Sequence, residues 1–226
     1  MSDAPAHEIP FVGLTGGLGG GKSTALRLLG ELGCATISAD GIVHALYAGE
    51  PLRALVTERW GRGVLTADGT IDRAAIAQRV FPEPAEREWL QQQIWPLVGE
   101  AIWRFRLAAD EAARGQPTLD ALVGEPHLPP KPRAAVVETP LLFEAGMAAL
   151  YDATVAVTAP EALRAQRAAA RGHAAVGERN AAQLTQEEKA QRADYVVAND
   201  GSEAQLNVRL ATLLDAIVGE AAAPAG

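Results

Sequence analysis

Residues 13–24 read GLTGGLGGGKST, and six of these twelve residues are glycine. Glycine loses more conformational entropy on folding than any other residue, so such a cluster is typical either of a flexible linker or of backbone that closely approaches a ligand. The apolar run 9–12 precedes the stretch, and residues 23–32 follow it with leucines at helical spacing. A linker would continue into polar, low-complexity sequence instead. We therefore predict a strand, a glycine loop and a helix, in that order.

Residues 16–23 also fit the phosphate-binding pattern G-x-x-x-x-G-K-[ST]. In this pattern the backbone N–H groups and the helix N-terminus surround phosphate oxygens, and the lysine neutralises their charge. Average residue usage gives an accidental match in roughly one chain per hundred of this length, which disfavours the linker. The predicted nucleotide-binding residues are Gly17, Leu18, Gly19, Gly20, Gly21, Lys22, Ser23 and Thr24. Lys22 is also a predicted catalytic residue, because it neutralises the transferring phosphate.

The composition sets bounds on the class of protein. The chain has 226 residues, 48% of them hydrophobic, and a net charge of −8, which allows one elaborated α/β domain and disfavours extended nucleic-acid binding. Its one cysteine, Cys34, permits no internal disulfide and suggests a reducing compartment. We see no signal peptide and no run of about 20 apolar residues, so we expect a cytoplasmic protein without a membrane partner.

Short apolar runs alternate with helical patterns along the chain. Four further strands are predicted at 35–38, 134–137, 153–157 and 195–198. Strands that are separated by helices imply a parallel sheet, so we predict an α/β fold with a five-stranded parallel sheet flanked by helices. Ligands of such a fold bind beyond the carboxyl ends of the strands.

About a hundred residues without strand character separate the second and third predicted strands, which is too long for a simple connection. We predict a nucleotide-binding core at 9–48 and 134–218 with a lid at about 164–190, a helical substrate-binding subdomain at 49–114, an irregular loop at 115–133 and a frayed tail at 219–226.

Two acids follow predicted strands. Asp40 comes after the second strand, at the same sheet edge as the phosphate loop, and its alternative role is that of a helix N-cap. Glu138 comes after the third strand, where an acid in a phosphate-loop protein lies near a magnesium ion, and its alternative is a solvated strand end. With Ser23 as a direct ligand, Glu138 is the predicted magnesium-site residue.

Arginines follow the fourth predicted strand. Arg167 and Arg171 lie in the predicted lid, where such side chains fold onto transferring phosphates and supply bidentate positive charge. The alternative for each is an ordinary solvated helix face.

Taken in order, several motifs resemble those of the dephospho-CoA kinase family, from about residue 11 to about residue 214. They are GLTGGLGGGKST, SADGIVH, GTIDRAAIAQRVF, LQQQIWP, VVETPLLFE, YDATVAV, QRAAAR and RADYVVANDGS. The resemblance implies a P-loop kinase core, a helical CoA-binding domain and a lid. It also implies that ATP phosphorylates the ribose 3′-hydroxyl of dephospho-CoA in the last step of coenzyme A synthesis. We expect Mg²⁺ to accompany the ATP, and we expect a monomer or weak homo-oligomer.

The resemblance also assigns residues. Asp40 matches the family's presumed base, which the chemistry needs because a secondary hydroxyl is a poor nucleophile until a carboxylate accepts its proton. Arg171 matches the catalytic lid arginine, and Arg167 and Asn199 are implied to join the nucleotide site.

The sequence departs from the family pattern at Gly20 in place of a serine, at Ser38 in place of the first aspartate of Asp-Ala-Asp, and at Trp95 in place of a histidine. The departure at Ser38 affects a water-mediated metal contact, and the departure at Trp95 weakens the match in the CoA domain. Another P-loop small-molecule kinase is the alternative within enzymes. A nucleotide-dependent switch protein is the alternative from another class, but the Asn-Lys-x-Asp guanine-reading motif that it would need is missing from the sequence.

Overall fold

The computed structural model of the chain describes residues 8–118, 122–170 and 183–221. Its strands are β1 (Phe11–Gly16), β2 (Ala35–Ser38), β3 (Ala135–Glu138), β4 (Ala153–Thr158) and β5 (Tyr195–Ala198). Its α-helices are α1 (Lys22–Glu31), α2 (Ala39–Ala48), α3 (Glu50–Trp60), α4 (Arg73–Val80), α5 (Pro84–Ala113), α6 (Glu161–Ala170), α7 (Gln186–Arg192) and α8 (Glu203–Ala221), and 3-10 turns lie at Arg62–Val64 and Ala148–Leu150.

The five strands form one parallel sheet in the order β2-β3-β1-β4-β5, which confirms the predicted fold class. β1 lies in the middle, and its residue Leu14 is in register with Glu138 of β3 and with Val155 of β4. Because β1 has a neighbour on each side, the loop that leaves it is flanked by the ends of β3 and β4. This is the position at which parallel α/β sheets bind ligands.

The glycine-rich stretch begins inside β1 rather than after it. β1 runs from Phe11 to Gly16, so residues 13–16 belong to the strand. A Cβ atom added at Gly13 would lie 2.5 Å from a side-chain carbon of Leu142 and 2.8 Å from one of Tyr151. Close packing therefore requires this glycine, and only residues after Gly16 form the loop.

Contact clustering divides the chain into two compact units. The first comprises the described residues within Met1–Ile37, Arg106–Leu119 and His127–Gly226, and the second those within Ser38–Phe105 and Asp120–Pro126. The predicted boundary between residues 48 and 49 thus falls inside the second unit, which already contains α2. The tail predicted from residue 219 is helical as far as Ala221, where α8 ends.

The core of the first unit is an apolar layer shared by the sheet, α1 and α8. Buried residues of α8 recur at the spacing of one helix face: Leu206, Leu210, Leu214 and Ile217. They pack with strand residues such as Leu14 and Val155. Cys34 is buried in the same cluster between α1 and β2, and its burial raises the pKa of the thiol to about 12.

The second unit is helical. Its buried side chains include Leu52, Val56 and Ile76, and Trp60 meets Trp89 edge to face with ring centroids 5.0 Å apart. The carboxylate of Glu86 accepts hydrogen bonds from Arg59 and from the indole N–H of Trp60. No helix among the described residues combines the length and the apolar character that crossing a membrane requires.

Candidate active site

The phosphate loop joins the end of β1 to the start of α1. Gly21 precedes the helix in the left-handed conformation (φ 94°), and the N–H of Gly20 donates to the carbonyl of Gly17 at 3.1 Å. Within the described residues, no side chain caps the N-terminus of α1. Its first N–H groups therefore remain available to an anion, as the sequence pattern predicts.

Lys22 is the first residue of α1, and its ammonium folds back over the loop. The Nζ atom donates to the carbonyl oxygens of Gly16 and Gly17, each at 3.2 Å. The positive charge thus lies within the loop rather than on the solvent side of the helix. From this position the ammonium can reach an anion that binds in the loop.

Two side chains from distant parts of the chain also hold the loop. The Nε of Arg164 on α6 donates to the carbonyl of Leu18 at 3.1 Å. The Nδ2 of Asn199, which follows β5 and is 5% exposed, donates to the carbonyl of Gly20 at 2.9 Å. Asn199 was predicted as a nucleotide-site residue, and its amide contacts the loop itself. Arg164 was not singled out in the sequence, because an arginine near a helix start carries no distinguishing pattern.

Arg167 lies one turn after Arg164 on α6. Its Nη1 atom is buried, and it has no hydrogen-bond partner among the described residues. The same nitrogen lies 3.6 Å from the position of a Cβ atom added at Gly21. A buried cationic donor beside the phosphate loop is unlike the solvated helix face that was the alternative for this residue. It fits an anionic ligand instead.

The two candidate magnesium residues occupy different environments. Ser23 is exposed in the first turn of α1, next to the partly buried Thr24. Glu138 is the last residue of β3 and is 6% exposed. Burial excludes the solvated strand end as the role of Glu138. A hydroxyl and a carboxylate are the oxygen donors that Mg²⁺ prefers.

Asp40 belongs to the second unit, where it is the second residue of α2. The N-cap of α2 is Ser38, so the alternative interpretation of Asp40 as the cap is wrong. Its side chain is exposed and has no hydrogen bond or ion pair within the described residues. The carboxylate lies in the first turn of the helix, at the positive end of the helix dipole.

A cationic side chain from α4 contacts α2 one turn after Asp40. The guanidinium of Arg73 on α4 hydrogen-bonds Nδ1 of His44 at 3.1 Å and lies 4.9 Å from the ring centroid of Tyr47. Both partners are on α2, so Arg73 joins α4 to the helix that carries Asp40.

Trp95 on α5, where the sequence departs from the family pattern, is 63% exposed.

Three acids in the quoted motifs have structural roles. Asp152 accepts from the N–H of Phe11 at 2.8 Å, and Asp194 accepts from the N–H and hydroxyl of Thr154 at 2.8 and 2.7 Å. Glu144, the acid of PLLFE, forms a 3.0 Å ion pair with Lys189. These acids connect elements of the first unit, and sequence alone does not separate them from acids that meet a ligand.

Other predicted features lie outside the described residues. Arg171, the predicted catalytic lid arginine, falls within 171–182, and so does much of the lid predicted at 164–190.

Comparisons with known proteins agree on one family. A family model described as dephospho-CoA kinase matches residues 10–114 and 126–205. The dephospho-CoA kinase of Synechococcus sp. (strain JA-3-3Ab) is 36% identical over 216 residues, which cover 91% of this chain and 92% of that protein. The dephospho-CoA kinase of Anaeromyxobacter dehalogenans (strain 2CP-C) is 38% identical over 195 residues, with 84% of each chain covered.

Two solved structures have a similar fold. The crystal structure of TT1252 from Thermus thermophilus has a TM-score of 0.67 and 30% identity, and the match covers 97% of this chain and 100% of that one. Dephospho-CoA kinase from Campylobacter jejuni has a TM-score of 0.57 at 21% identity, over 92% and 96% of the two chains. The second likeness supports the fold alone.

Proposed function

The chain belongs to the dephospho-CoA kinase family, and we propose that it transfers the terminal phosphoryl group of ATP to the ribose 3′-hydroxyl of dephospho-CoA, the last step of coenzyme A synthesis. The observation that carries this proposal is the phosphate loop between β1 and α1. An uncapped helix N-terminus and the ammonium of Lys22 meet at this loop, in a chain that matches the family over most of its length.

The loop residues bind the phosphates of ATP. Backbone N–H groups of the loop and of the first turn of α1 donate to phosphate oxygens, and Lys22 neutralises negative charge that is spread over the transferring group. Thr24 completes the first turn of α1 behind them. Arg167 adds a second cation, since its buried Nη1 lies beside Gly21. Phosphoryl transfer needs little covalent participation, so positioning and charge stabilisation supply most of the rate.

Asp40 is the proposed general base. A ribose hydroxyl attacks phosphorus well only when its proton has an acceptor. The carboxylate of Asp40 is suited to this role because it neither caps α2 nor pairs with a described cation, so both of its oxygens remain able to accept a proton. The role of Arg171 as a lid cation remains a prediction from the resemblance.

Ser23 and Glu138 would hold Mg²⁺. The hydroxyl at the N-terminus of α1 would bind the ion directly, and the buried carboxylate at the end of β3 would hold its water ligands. Bound magnesium shields the negative charge of the phosphate oxygens.

A coupled assay of ADP release tests the proposed function. ADP release should depend on dephospho-CoA and should yield coenzyme A, identified by its mass. A panel of nucleosides and sugar acids should give no comparable rate. If one of these alternatives were phosphorylated faster than dephospho-CoA, the chain would be a different small-molecule kinase within the same fold.

A further inference from the structure

The carbonyl groups of the phosphate loop are held by side chains. A phosphate loop binds anions only when its N–H groups point inward, and each inward N–H requires that neighbouring carbonyls point elsewhere. The carbonyls of Leu18 and Gly20 accept hydrogen bonds from Arg164 and Asn199, which are 146 and 179 positions away in sequence. Contacts this distant in sequence cannot arise from the local geometry of the loop.

Asn199 is fixed on the side of its own backbone as well. Its N–H donates to the carbonyl of Thr158 at 2.6 Å, so the residue after β5 is bound to the end of β4. The amide nitrogen of the side chain lies 2.0 Å from the position of a Cβ atom added at Gly21. The amide therefore lies directly against the loop, in space that only a glycine leaves open.

Arg164 covers the neighbouring part of the loop. The Nη2, Cζ and Nε atoms of its guanidinium lie 3.1–3.2 Å from the position of a Cβ atom added at Gly17. Its backbone carbonyl oxygen lies 2.4 Å from the position of a Cβ atom added at Gly19. An ion pair with Glu161, 2.7 Å long, fixes the guanidinium from the other side. Glycine at positions 17 and 21 thus makes room for the two side chains that hold the loop, and glycine at position 19 makes room for the backbone of Arg164.

We propose that Asn199 and Arg164 are positioning residues, which fix the carbonyls of Leu18 and Gly20 so that the N–H groups of the loop converge on the phosphates of ATP. The inference rests on the proposed function, and it assigns to Asn199 a role that acts through the loop rather than on the nucleotide base. When either side chain is lost, the loop can rotate a carbonyl toward the phosphates, where it repels them.

The experiment compares ATP with magnesium tripolyphosphate, which has phosphates but no base. Asn199→Ala should weaken the binding of both about tenfold, the effect of one well-placed hydrogen bond. The KM for dephospho-CoA should stay unchanged, and the unfolding midpoint of the nucleotide-free variant should fall by only a few degrees. Asn207→Ala on α8 is the matched control, since this asparagine makes no hydrogen bond to the loop within the described residues.

Each outcome decides the inference. Weaker binding of ATP by Asn199→Ala with unchanged binding of tripolyphosphate would show that Asn199 contacts the base. Unchanged binding of both would show that the hydrogen bond from Asn199 to the loop does not affect phosphate binding. Either result would overturn the proposal. If Asn199→Ala does not fold, Arg164→Gln and Arg164→Lys carry the test. Lysine can still donate to Leu18 and should retain more affinity for tripolyphosphate than glutamine. Failure of the wild-type chain to phosphorylate dephospho-CoA would contradict the proposed function instead, because tripolyphosphate binding does not require that reaction.

Discussion

The phosphate loop follows β1 and Asp40 follows β2, but the two regions are held in opposite ways. The carbonyls of Gly16, Gly17, Leu18 and Gly20 all accept hydrogen bonds from side chains. The carboxylate of Asp40 has no such bond to any residue that the structure describes. A group that must match the fixed geometry of phosphates gains from being held in advance, whereas a proton acceptor needs its oxygens unoccupied.

Lys22→Ala should have the largest effect. The substitution removes a charge that neutralises the transferring phosphate, so kcat should fall by about 10³–10⁵, the range known for an arginine finger in phosphoryl transfer. The fold should remain, because Lys22 is at the first turn of α1 and is not one of the buried residues of the core. Single-turnover transfer and circular dichroism measure the two effects. Lys131→Ala, at an exposed lysine outside the loop, is the control. Near-normal transfer by Lys22→Ala would remove the loop from the mechanism.

Asp40→Asn tests whether the carboxylate that follows β2 is the general base. The variant keeps the shape of the side chain but cannot take the proton, so kcat should fall by about 10²–10⁴ while the affinity for ATP is unchanged. Asp72→Asn provides the matched control, because Asp72 is a true N-cap that accepts from the N–H groups of Ala74 and Ala75. Asparagine caps helices nearly as well as aspartate, so this control should keep its activity. Turnover of Asp40→Asn within a few fold of the parent at pH 7 would contradict the assignment of the base.

The sequence predicted the phosphate loop because the function of the loop is in its backbone, and the spacing of glycines and lysine records that backbone directly. The parallel sheet was predictable for a similar reason, since short apolar runs alternate with helices. The side-chain contacts that hold the loop carbonyls were not predictable. Arg164 and Asn199 meet the loop only after the chain has brought α6 and the end of β5 to β1, and one sequence holds no distances between such residues.

The structural roles of three acids in the quoted motifs were also not predictable from the sequence. Glu144, Asp152 and Asp194 stand in motifs that carry the family resemblance, and each bonds to another part of the first unit. A carboxylate that anchors a strand and a carboxylate that binds a ligand are the same residue type in the sequence. Only the hydrogen-bond partner in the structure distinguishes them.

Lys189→Met removes a buried side-chain contact that lies outside the phosphate loop. Lys189 is 1% exposed, and its ammonium bonds the carbonyl of Pro140 at 2.5 Å as well as Glu144. Removing one member of a buried pair typically costs about 3–5 kcal/mol, because the other charge is left unpaired. Urea denaturation should show a loss of that size. The folded variant should retain kcat and ATP affinity within a few fold, unlike variants of the loop tethers.

The double variant Lys189→Met with Glu144→Gln is the control for this interpretation. Neutralising both partners removes the unpaired charge, so the double variant should recover part of the lost stability. If Lys189→Met kept full stability but lost the affinity for ATP, the pair would belong to the nucleotide site.

The smallest effect is expected at Cys34. This residue lies on the segment between α1, which follows the phosphate loop, and β2, which precedes Asp40. Its N–H donates to the carbonyl of Leu29 at 3.0 Å, and burial raises the pKa of its thiol to about 12. At pH 8 that value leaves about one thiol in 10⁴ ionised, where an ordinary cysteine with a pKa near 8.5 has about a quarter. Iodoacetamide should therefore modify the folded protein at least a thousandfold more slowly than the urea-unfolded protein, and Cys34→Ala should keep kcat within about twofold. The thiolate fraction rises with pH, so any slow labelling should increase about tenfold per pH unit between 8 and 11. Rapid labelling at pH 8 would mean that the segment between α1 and β2 opens readily in the folded protein.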